Sequence, residues 1–427
     1  MKKLIAILLV CLTVLPMCLS LVSCGGTDEA DLKVGAILVG DETEGYTLAH
    51  MNGINAAAEA ITGKKIEVVY RKRVEETEAA AEAARSLIAD GCTLIISNSY
   101  GHQDYMREVA AEFPNIPFVA MTGDFAAICG ISNISNAFTK VFESRYVSGV
   151  VAGMKLKELV DAGKVGDSNK NADGTIKLGY VGAFPYAEVV SGYTAFYLGV
   201  KSIVENVAME VVYTESWFSE ALEAEAAKYL MSQGCVIISQ HADSTGAPSA
   251  VQSAHEKGEY TNVYCVGYNV DMLSVAPDVA LTSAANNWVV CYTDMFTAVT
   301  SGQKFTTNWA KGYTDNAVSI TALGKACATG TQAKVDDVIA GLKNGTVKVF
   351  NTANFTVGGE AITTAKVDMS YMDFSGDAPK VVYQGETLEC LKTEGGITYF
   401  DESTLRSAPY FSLRIDGIVE SDKKLGE

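Results

Sequence analysis

Apolar and polar positions along the chain repeat one pattern of helix, turn and strand at two places. Residues 82–96 read EAARSLIADGCTLII and residues 225–239 read EAAKYLMSQGCVIIS, so the second copy follows the first by 143 positions. In each copy an Ala-rich run with apolar residues at helical spacing predicts an α-helix. The run stops at a glycine, Gly91 or Gly234, where we expect the helix to end in a residue of left-handed backbone conformation. A short apolar run follows and predicts a buried parallel strand. The chain therefore contains two copies of half a βαβ unit.

Further strands and helices alternate around both copies. Apolar runs predict a strand at each of residues 32–40, 66–70, 116–121, 176–182, 210–213, 262–267 and 279–283. A long helix is predicted over residues 142–159, in which Gly149 and Gly153 indicate close packing against a neighbour. The alternation is typical of proteins with parallel sheets covered by helices. The expected fold class is therefore α/β, with two doubly wound, Rossmann-like lobes.

The first residues predict an export signal rather than part of the folded body. Lysines at positions 2 and 3 precede an apolar run over residues 4–21, as in secretory signal peptides. The run ends Leu-Val-Ser-Cys, which is similar to the bacterial lipobox, where cleavage precedes a cysteine that receives lipid. We expect a lipoprotein signal peptide at residues 1–23, lipidation of Cys24 and a tether over residues 24–31. The mature protein would be anchored to the cell membrane on its extracytoplasmic side; an ordinary signal peptide and an uncleaved anchor are the alternatives.

Charge and cysteine content narrow the classes of partner. The chain has 33 basic and 51 acidic residues, a formal net charge of −18 at pH 7. Nucleic acid is not expected as a partner, because neutralising phosphates needs clustered Lys and Arg. Seven cysteines follow Cys24 without the spacing of a metal site, and we expect them to be small core residues. No cofactor and no metal are expected.

Polar residues follow both repeated strands, at the edge where open α/β sheets bind ligands. Asn98 and Ser99 follow the first copy, and His241 and Asp243 follow the second. Two similar lobes with such strand ends predict a ligand cleft between them. Each of these side chains is a candidate ligand contact, and each could instead cap a helix. His241 could also act as a general base, although no nucleophile is spaced beside it in a known pattern.

An ordered series of motifs over about residues 30–355 resembles the basic membrane protein family of substrate-binding lipoproteins, which serve ABC importers. The motifs are, in order, GYTLAH, NSYG, ESRYVSGVVAG, SW, QHADS, GYNVDM and NNW, starting at residues 45, 98, 143, 216, 240, 267 and 286. The resemblance implies a periplasmic-binding-protein type I fold, with two lobes joined by three hinge crossovers. It also implies that a purine nucleoside or related base is captured between the lobes and presented to an ABC permease.

The resemblance assigns roles to individual residues. It places stacking aromatics at Tyr46 and Trp217, one on each lobe, where they would hold both faces of a planar heterocycle as the cleft closes. Asn269 and Asp271 match the segment that holds ribose hydroxyls. Asn287, like the strand-end residues, could read a base edge. The two aromatics could instead be core or hinge residues, and Asp271 could cap a turn.

One departure from the family pattern bears on the ligand. Many relatives carry a lysine shortly after the strand equivalent to residues 279–283, where it assists ribose binding. This chain has Asn286 and Asn287 there. A nucleoside, a free base and a related heterocycle therefore all remain open.

We expect residues 32–137 and 272–315 to form an N-terminal lobe, residues 138–271 and 316–360 a C-terminal lobe, and residues 361–427 an extension that covers both. The expected function is that of a monomeric substrate-binding lipoprotein of an ABC importer, and not of an enzyme. A nucleoside-processing hydrolase is one alternative, but no Walker loop, Gly-x-Ser-x-Gly or His-Glu-x-x-His motif occurs. A ligand-sensing module for a receptor is another, and it would use the same fold.

Overall fold

The computed structural model of the protein describes residues 29–373 and 380–426; the predicted signal peptide and Cys24 lie outside them. In the described residues the helices are α1 (Gly45–Ala60), α2 (Glu78–Ala89), α3 (Gln103–Glu112), α4 (Val141–Asp161), α5 (Ala187–Lys201), α6 (Glu220–Ser232), α7 (Gly246–Glu256), α8 (Trp288–Thr300) and α9 (Thr331–Asn344). The strands are β1 (Leu32–Ile37), β2 (Ile66–Arg71), β3 (Leu94–Ser97), β4 (Phe118–Met121), β5 (Ile134–Ala137), β6 (Ile176–Gly182), β7 (Val207–Tyr213), β8 (Ile237–Gln240), β9 (Tyr264–Tyr268), β10 (Ala280–Asn286), β11 (Asn308–Trp309), β12 (Val318–Ile320), β13 (Lys366–Asp368), β14 (Tyr371–Asp373), β15 (Lys380–Tyr383), β16 (Thr387–Glu389), β17 (Leu391–Glu394), β18 (Ile397–Phe400) and β19 (Ile418–Glu420). None of these helices is both long enough and apolar enough to cross a bilayer.

The first sheet has six parallel strands in the order β11, β5, β4, β3, β1, β2. Successive residues of a strand point to opposite faces, so Ile96 packs in a core with α1 and α8, while Ile95 packs in a second core with α2 and α3. Helices therefore cover both faces of the sheet. We call this sheet with its four helices the N-lobe.

The second sheet has the order β12, β10, β9, β8, β6, β7, β19, and only β12 in it runs antiparallel to its neighbour among the described strands. Ile237 packs in a core with α4 and α5, and Ile238 packs in a core with α6 and α7. We call this sheet with α4–α7 and α9 the C-lobe. The expected α/β class with two doubly wound lobes is confirmed.

The two copies of the repeat occupy equivalent places in the two lobes. In each copy a helix, α2 or α6, is followed by the strand next to the first strand of its sheet, β3 or β8. The glycines between them, Gly91 and Gly234, have φ angles of 88° and 92°. Residues with a side chain rarely adopt this region, so the predicted glycine C-caps are confirmed.

Glycines also bring α4 and α5 into close contact, as their spacing predicts. A Cβ placed on Gly149 would clash with the carbonyl oxygen of Phe196, and one on Gly199 would clash with the carbonyl oxygen of Tyr146. The two helix backbones approach each other because neither glycine carries a side chain. This pair forms one face of the C-lobe core.

Three crossovers join the two sheets within residues 29–373: residues 138–140, Asn287 and residues 310–317. They are hydrogen-bonded to one another, for example from the Lys140 N–H to the Lys311 oxygen at 2.8 Å and from the Asn287 N–H to the Ala317 oxygen at 2.9 Å. The chain returns to the N-lobe after Asn286 rather than at residue 272, because β10 continues the second sheet beside β9.

Residues 361–373 and 380–426, which we call the C-terminal extension, form short antiparallel strand pairs and one further strand of the C-lobe. β19 pairs in parallel with β7 at the edge of the second sheet. Phe400, Tyr410 and Phe411 complete the C-lobe core. The extension is therefore built into the C-lobe, and it also contacts the N-lobe, where Tyr371 packs against Phe125.

All seven cysteines after Cys24 are unpaired in the structure, six of them buried and Cys327 partly buried. Burial raises the pKa of Cys235 to about 12. A thiol in such a site stays protonated and packs as a small apolar group.

Candidate ligand-binding site

A cavity of about 380 Å³ lies between the lobes, at the carboxyl ends of both sheets. Its size is in the range of small-molecule sites, and its position is where open α/β sheets bind ligands. Its walls come from both lobes and are formed by Val39, Gly40, Asp41, Thr43, Glu44, Tyr46, Arg73, Asn98, Ser99, Tyr100, Thr122, Glu188, Trp217, Phe218, His241, Asp243 and Tyr268.

Tyr46 forms a fixed aromatic wall on the N-lobe side. It lies in the first turn of α1, and its hydroxyl donates to the Asn98 carbonyl oxygen at 2.9 Å. Its ring makes an edge contact with the His50 imidazole, 4.4 Å between centroids, and His50 in turn stacks on Trp288 at 4.2 Å. Because the ring and the hydroxyl are both held, Tyr46 presents its surface to the cavity without needing to reorient.

Asn98 and Ser99 follow β3 and line the same wall, but their side chains already have partners. The Asn98 amide oxygen accepts from the Val39 N–H at 2.9 Å, and its amide nitrogen donates to Thr47 Oγ1 at 3.2 Å. The Ser99 hydroxyl donates to the Glu76 carboxylate. These hydrogen bonds therefore hold the loop after β3 in place, and that loop forms this part of the cavity wall.

The C-lobe contributes an aromatic group at the cavity edge. Trp217 is half-buried and lies against Phe184 with ring centroids 5.2 Å apart and against Tyr186 at 6.1 Å. Its carbonyl oxygen accepts the Asp243 N–H at 2.8 Å, which ties this loop to the loop after β8. Phe218, next in the chain, also lines the cavity and is 39% exposed.

His241 lies at the bottom of the cleft in a charged environment. Its Nε2 is 3.1 Å from a Glu188 carboxylate oxygen, and its ring is 5.0 Å from that of Tyr268. The buried Arg145 guanidinium lies 3.6 Å from the centre of the Tyr268 ring. Burial, and then the positive charge of Arg145, lower the pKa of His241 to about 4. The imidazole is therefore neutral at pH 7.

Two carboxyl groups from opposite lobes face the cavity. Glu44 is the N-cap of α1, and its side chain accepts the Thr47 N–H at 3.2 Å. Asp243 follows β8, and the Asp243 carbonyl oxygen lies next to Gly45, so the two loops are in contact. Burial raises the pKa of both carboxyls, and Glu44 adds to the increase at Asp243. Both groups therefore hold protons more strongly than an exposed carboxyl does.

A chain of buried hydrogen bonds runs from Asp243 to the crossovers. The Asn269 amide nitrogen donates to the Asp243 carboxylate at 3.0 Å, and the Asn286 amide nitrogen donates to the Asn269 amide oxygen at 2.9 Å. The Thr139 hydroxyl donates to the Asn286 amide oxygen. Thr139 belongs to the first crossover and Asn286 precedes the second, so the cavity is linked to the segments about which the lobes would turn.

The structure brings six of the nine predicted ligand-binding residues together on the cavity wall and places the other three elsewhere. The six are Tyr46, Asn98, Ser99, Trp217, His241 and Asp243. Asn269 lies directly behind Asp243. Asp271 is exposed and caps the turn that begins at Met272, which was the alternative kept open for it. Asn287 lies in the second crossover, where its amide donates to the Asn316 oxygen at 2.8 Å.

Several lining residues were not selected from the sequence. Glu44 belongs to an acidic loop that has the composition of a solvated surface, yet it is buried in the structure, where its carboxylate lies next to Gly40 and Thr47. Glu188 and Tyr268 come from the C-lobe, whereas Tyr100 and Thr122 come from the N-lobe. Tyr100 follows Asn98 and Ser99 directly, so its position after β3 was an available signal.

Two α/β lobes around a cavity of ligand size define a two-lobed ligand-binding fold, and similar structures agree. A solute-binding protein of an ABC transporter from Aeropyrum pernix K1 aligns with a TM-score of 0.60 at 14% identity, over 75% of this chain and 93% of that one. A solute-binding protein from Conexibacter woesei DSM 14684 aligns with a TM-score of 0.55 at 21% identity, over 74% and 98%. The expected periplasmic-binding-protein type I fold is confirmed.

Sequence comparison identifies the family. The family model Bmp, which describes PnrA-like substrate-binding proteins of ABC transporters, matches residues 39–353. A purine-binding protein of Brucella abortus (strain 2308) is 34% identical over 281 residues, which cover 65% of this chain and 72% of that protein. The chain belongs to the Bmp family of ABC transporter substrate-binding proteins. It is therefore an extracytoplasmic protein whose partners are a small-molecule ligand and an ABC permease.

Proposed function

We propose that the cavity binds a purine base or a purine nucleoside for delivery to an ABC permease. The observation that carries the proposal is the pairing of aromatic rings across the cleft, with Tyr46 and Tyr100 from the N-lobe and Trp217 and Tyr268 from the C-lobe. A flat heterocycle fits between rings that approach from two sides. The purine-binding relative from Brucella abortus supports the same ligand class.

The polar side chains of the cavity can form hydrogen bonds with the edge of such a ligand. A purine presents ring nitrogens that accept hydrogen bonds and N–H groups that donate them, and ribose adds hydroxyls. Glu188 and an ionised Asp243 accept such donors, and a protonated Asp243 donates to a ring nitrogen. Because Asp271 and Asn287 lie outside the cavity, we assign any ribose contact to the carboxyls that line it rather than to these two residues.

Ligand binding would favour the closed arrangement of the lobes. Glu44 and Asp243 lie on opposite lobes, and burial, followed by the charge of Glu44, raises the pKa of Asp243. A ligand that donates hydrogen bonds to both carboxyls relieves this repulsion only when the cleft is closed. The ligand therefore binds the closed form better than the open form, and the equilibrium shifts towards closure.

We further propose that the protein is lipidated on Cys24, acts as a monomer and binds its ligand without turnover. Labelling with a radioactive fatty acid, with Cys24→Ser as the control, tests the anchor. Incubation with inosine, followed by chromatography, tests turnover: we expect inosine to be recovered intact, and release of hypoxanthine would favour the hydrolase alternative.

A thermal-shift screen of residues 25–427 tests the ligand class. We would compare hypoxanthine, guanine and adenine with their nucleosides, with riboflavin and with glucose. A ligand that binds only the native state raises the melting temperature as its concentration rises above its Kd. We expect purines to stabilise the protein, and the base–nucleoside difference reports whether ribose contributes. Stabilisation by glucose with none by any heterocycle would refute the proposal.

A further inference from the structure

The C-terminal extension is fixed to the C-lobe by its last strand and its core residues. β19 is hydrogen-bonded along β7, with Met209 N–H donating to the Gly417 oxygen and Ser421 N–H donating to the Val211 oxygen, both at 2.8 Å. The Glu420 carboxylate accepts from the Tyr213 hydroxyl at 2.6 Å. Opening of the cleft would therefore carry the extension along with the C-lobe.

The same extension also contacts the N-lobe through an aromatic cluster. Tyr371 and Tyr383 stack on each other and make edge contacts with Phe125, with ring centroids 4.9 and 5.2 Å from it. Phe125 is fully buried in the N-lobe core cluster that includes α2 and α3. The Tyr371 hydroxyl donates to the Asp104 carboxylate of α3. An apolar surface of the N-lobe is thus covered by residues anchored to the C-lobe.

An ion pair forms a second contact with the N-lobe, beside the cavity. The Arg406 guanidinium lies 3.4 Å from an Asp124 carboxylate oxygen, and the two side chains are only 15% and 11% exposed. Asp124 also accepts from the Gln103 amide at 3.2 Å and from the Tyr100 hydroxyl at 3.4 Å. Tyr100 and Thr122 line the ligand cavity. The contact therefore lies at the N-lobe edge of the cleft.

We propose that the C-terminal extension is a strap that ties the N-lobe edge of the cleft to the C-lobe and limits how far the lobes open. Opening moves Asp124 and Phe125 away from Arg406 and the two tyrosines, which exposes the Phe125 ring and separates a largely buried ion pair. Exposure of the ring opposes opening. Arg406 favours the closed form because it gives the Asp124 carboxylate a partner, without which closure would bury an uncompensated charge. The strap lies beyond residue 353, where the family match ends, so it is a feature added to the two lobes. It acts on the ligand-free protein and does not depend on which ligand binds.

The test measures the separation of the lobes without ligand. Spin labels at Glu82→Cys on α2 and Lys228→Cys on α6, both exposed positions, report the distance between the lobes by pulsed electron resonance. The background is residues 25–427 with Cys327→Ser, because the six other cysteines of this segment are buried. The test variant is Arg406→Gln. The matched control is Arg414→Gln, which removes the same charge from an arginine paired with Glu420 at 2.8 Å inside the extension.

We expect Arg406→Gln to shift the distance distribution to longer values and to broaden it, and Arg414→Gln to leave it as in the parent protein. Arg406→Lys, which keeps the charge, should recover part of the shorter distances. Asp124→Asn breaks the same pair from the N-lobe side and replaces Arg406→Gln if that variant fails to fold. A folded variant whose distribution coincides with that of the parent protein would refute the strap.

Discussion

We predict that the free energy of unfolding depends on pH through Glu223, by an amount that follows from the surroundings of this residue. It lies in α6, is fully buried, and accepts N–H groups of Ser219 at 3.2 Å and of Ser244 at 3.1 and 3.2 Å. Ser244 follows Asp243, so this carboxyl holds the loop that carries a cavity residue. Burial raises the pKa of Glu223 from its ordinary value of 4.5 to about 7. The perturbation is Glu223→Gln, which keeps the shape and removes the titration.

The direction of the effect follows from the raised pKa. Between pH 4.5 and about 7 the folded protein holds a proton at Glu223 that the unfolded chain has released, so folding is favoured most at low pH. This contribution is fully present below pH 4.5 and is lost as the pH rises to about 7. At 1.36 kcal/mol per pKa unit, the loss amounts to about 3 kcal/mol.

The assay is urea unfolding followed by far-ultraviolet circular dichroism between pH 4.5 and 8. The free energy of unfolding of the wild type minus that of Glu223→Gln removes the contributions of carboxyls that do not interact with Glu223. It keeps the part of the raised Asp243 pKa that the charge of Glu223 causes. We expect the difference to fall by about 3 kcal/mol across the range. Glu220→Gln, which removes an exposed carboxylate from the same helix, controls for net charge. A difference that stays constant with pH would refute the reasoning.

Two substitutions test the site and the packing. Trp217→Ala should weaken binding of the purine identified in the screen by about 1–3 kcal/mol, roughly 5- to 150-fold, by titration calorimetry. Tyr260→Ala, which removes a partly exposed ring outside the cavity, should change the affinity little, and equal affinities for both variants would contradict stacking by Trp217. Gly149→Val forces a side chain against the Phe196 oxygen and should lower the free energy of unfolding by about 1–3 kcal/mol or more. Gly166→Ala, in open space at negative φ, is its control, and equal unfolding free energies would contradict close helix packing.

The choice of site residues from the sequence depended on which strand ends could be recognised. Asn98 and His241 were found because they follow apolar runs, and parallel strands bring their carboxyl ends to one edge, whereas Tyr46 was assigned through the family resemblance. Asp271 also follows such a run, but its side chain turns back to the Leu273 N–H at 2.8 Å. Position after a strand therefore predicts the edge on which a residue lies, and not the direction in which its side chain points.

The sequence by itself determined the elements and their layering. Periodicity distinguishes helix from buried strand locally, and Gly91 and Gly234 mark helix ends because residues with a side chain rarely adopt their backbone conformation. The repeat at 143 positions then required two similar lobes.

Only the tertiary structure decided which groups meet across the cleft and at its edge. Glu44 opposes Asp243, Arg406 reaches Asp124, and β19 joins β7 although more than 200 positions separate them. None of these contacts produces a periodic pattern in the sequence, because each joins segments that are far apart in the chain. Local spacing encodes which residues are buried, whereas the identity of their partners is set by long-range packing.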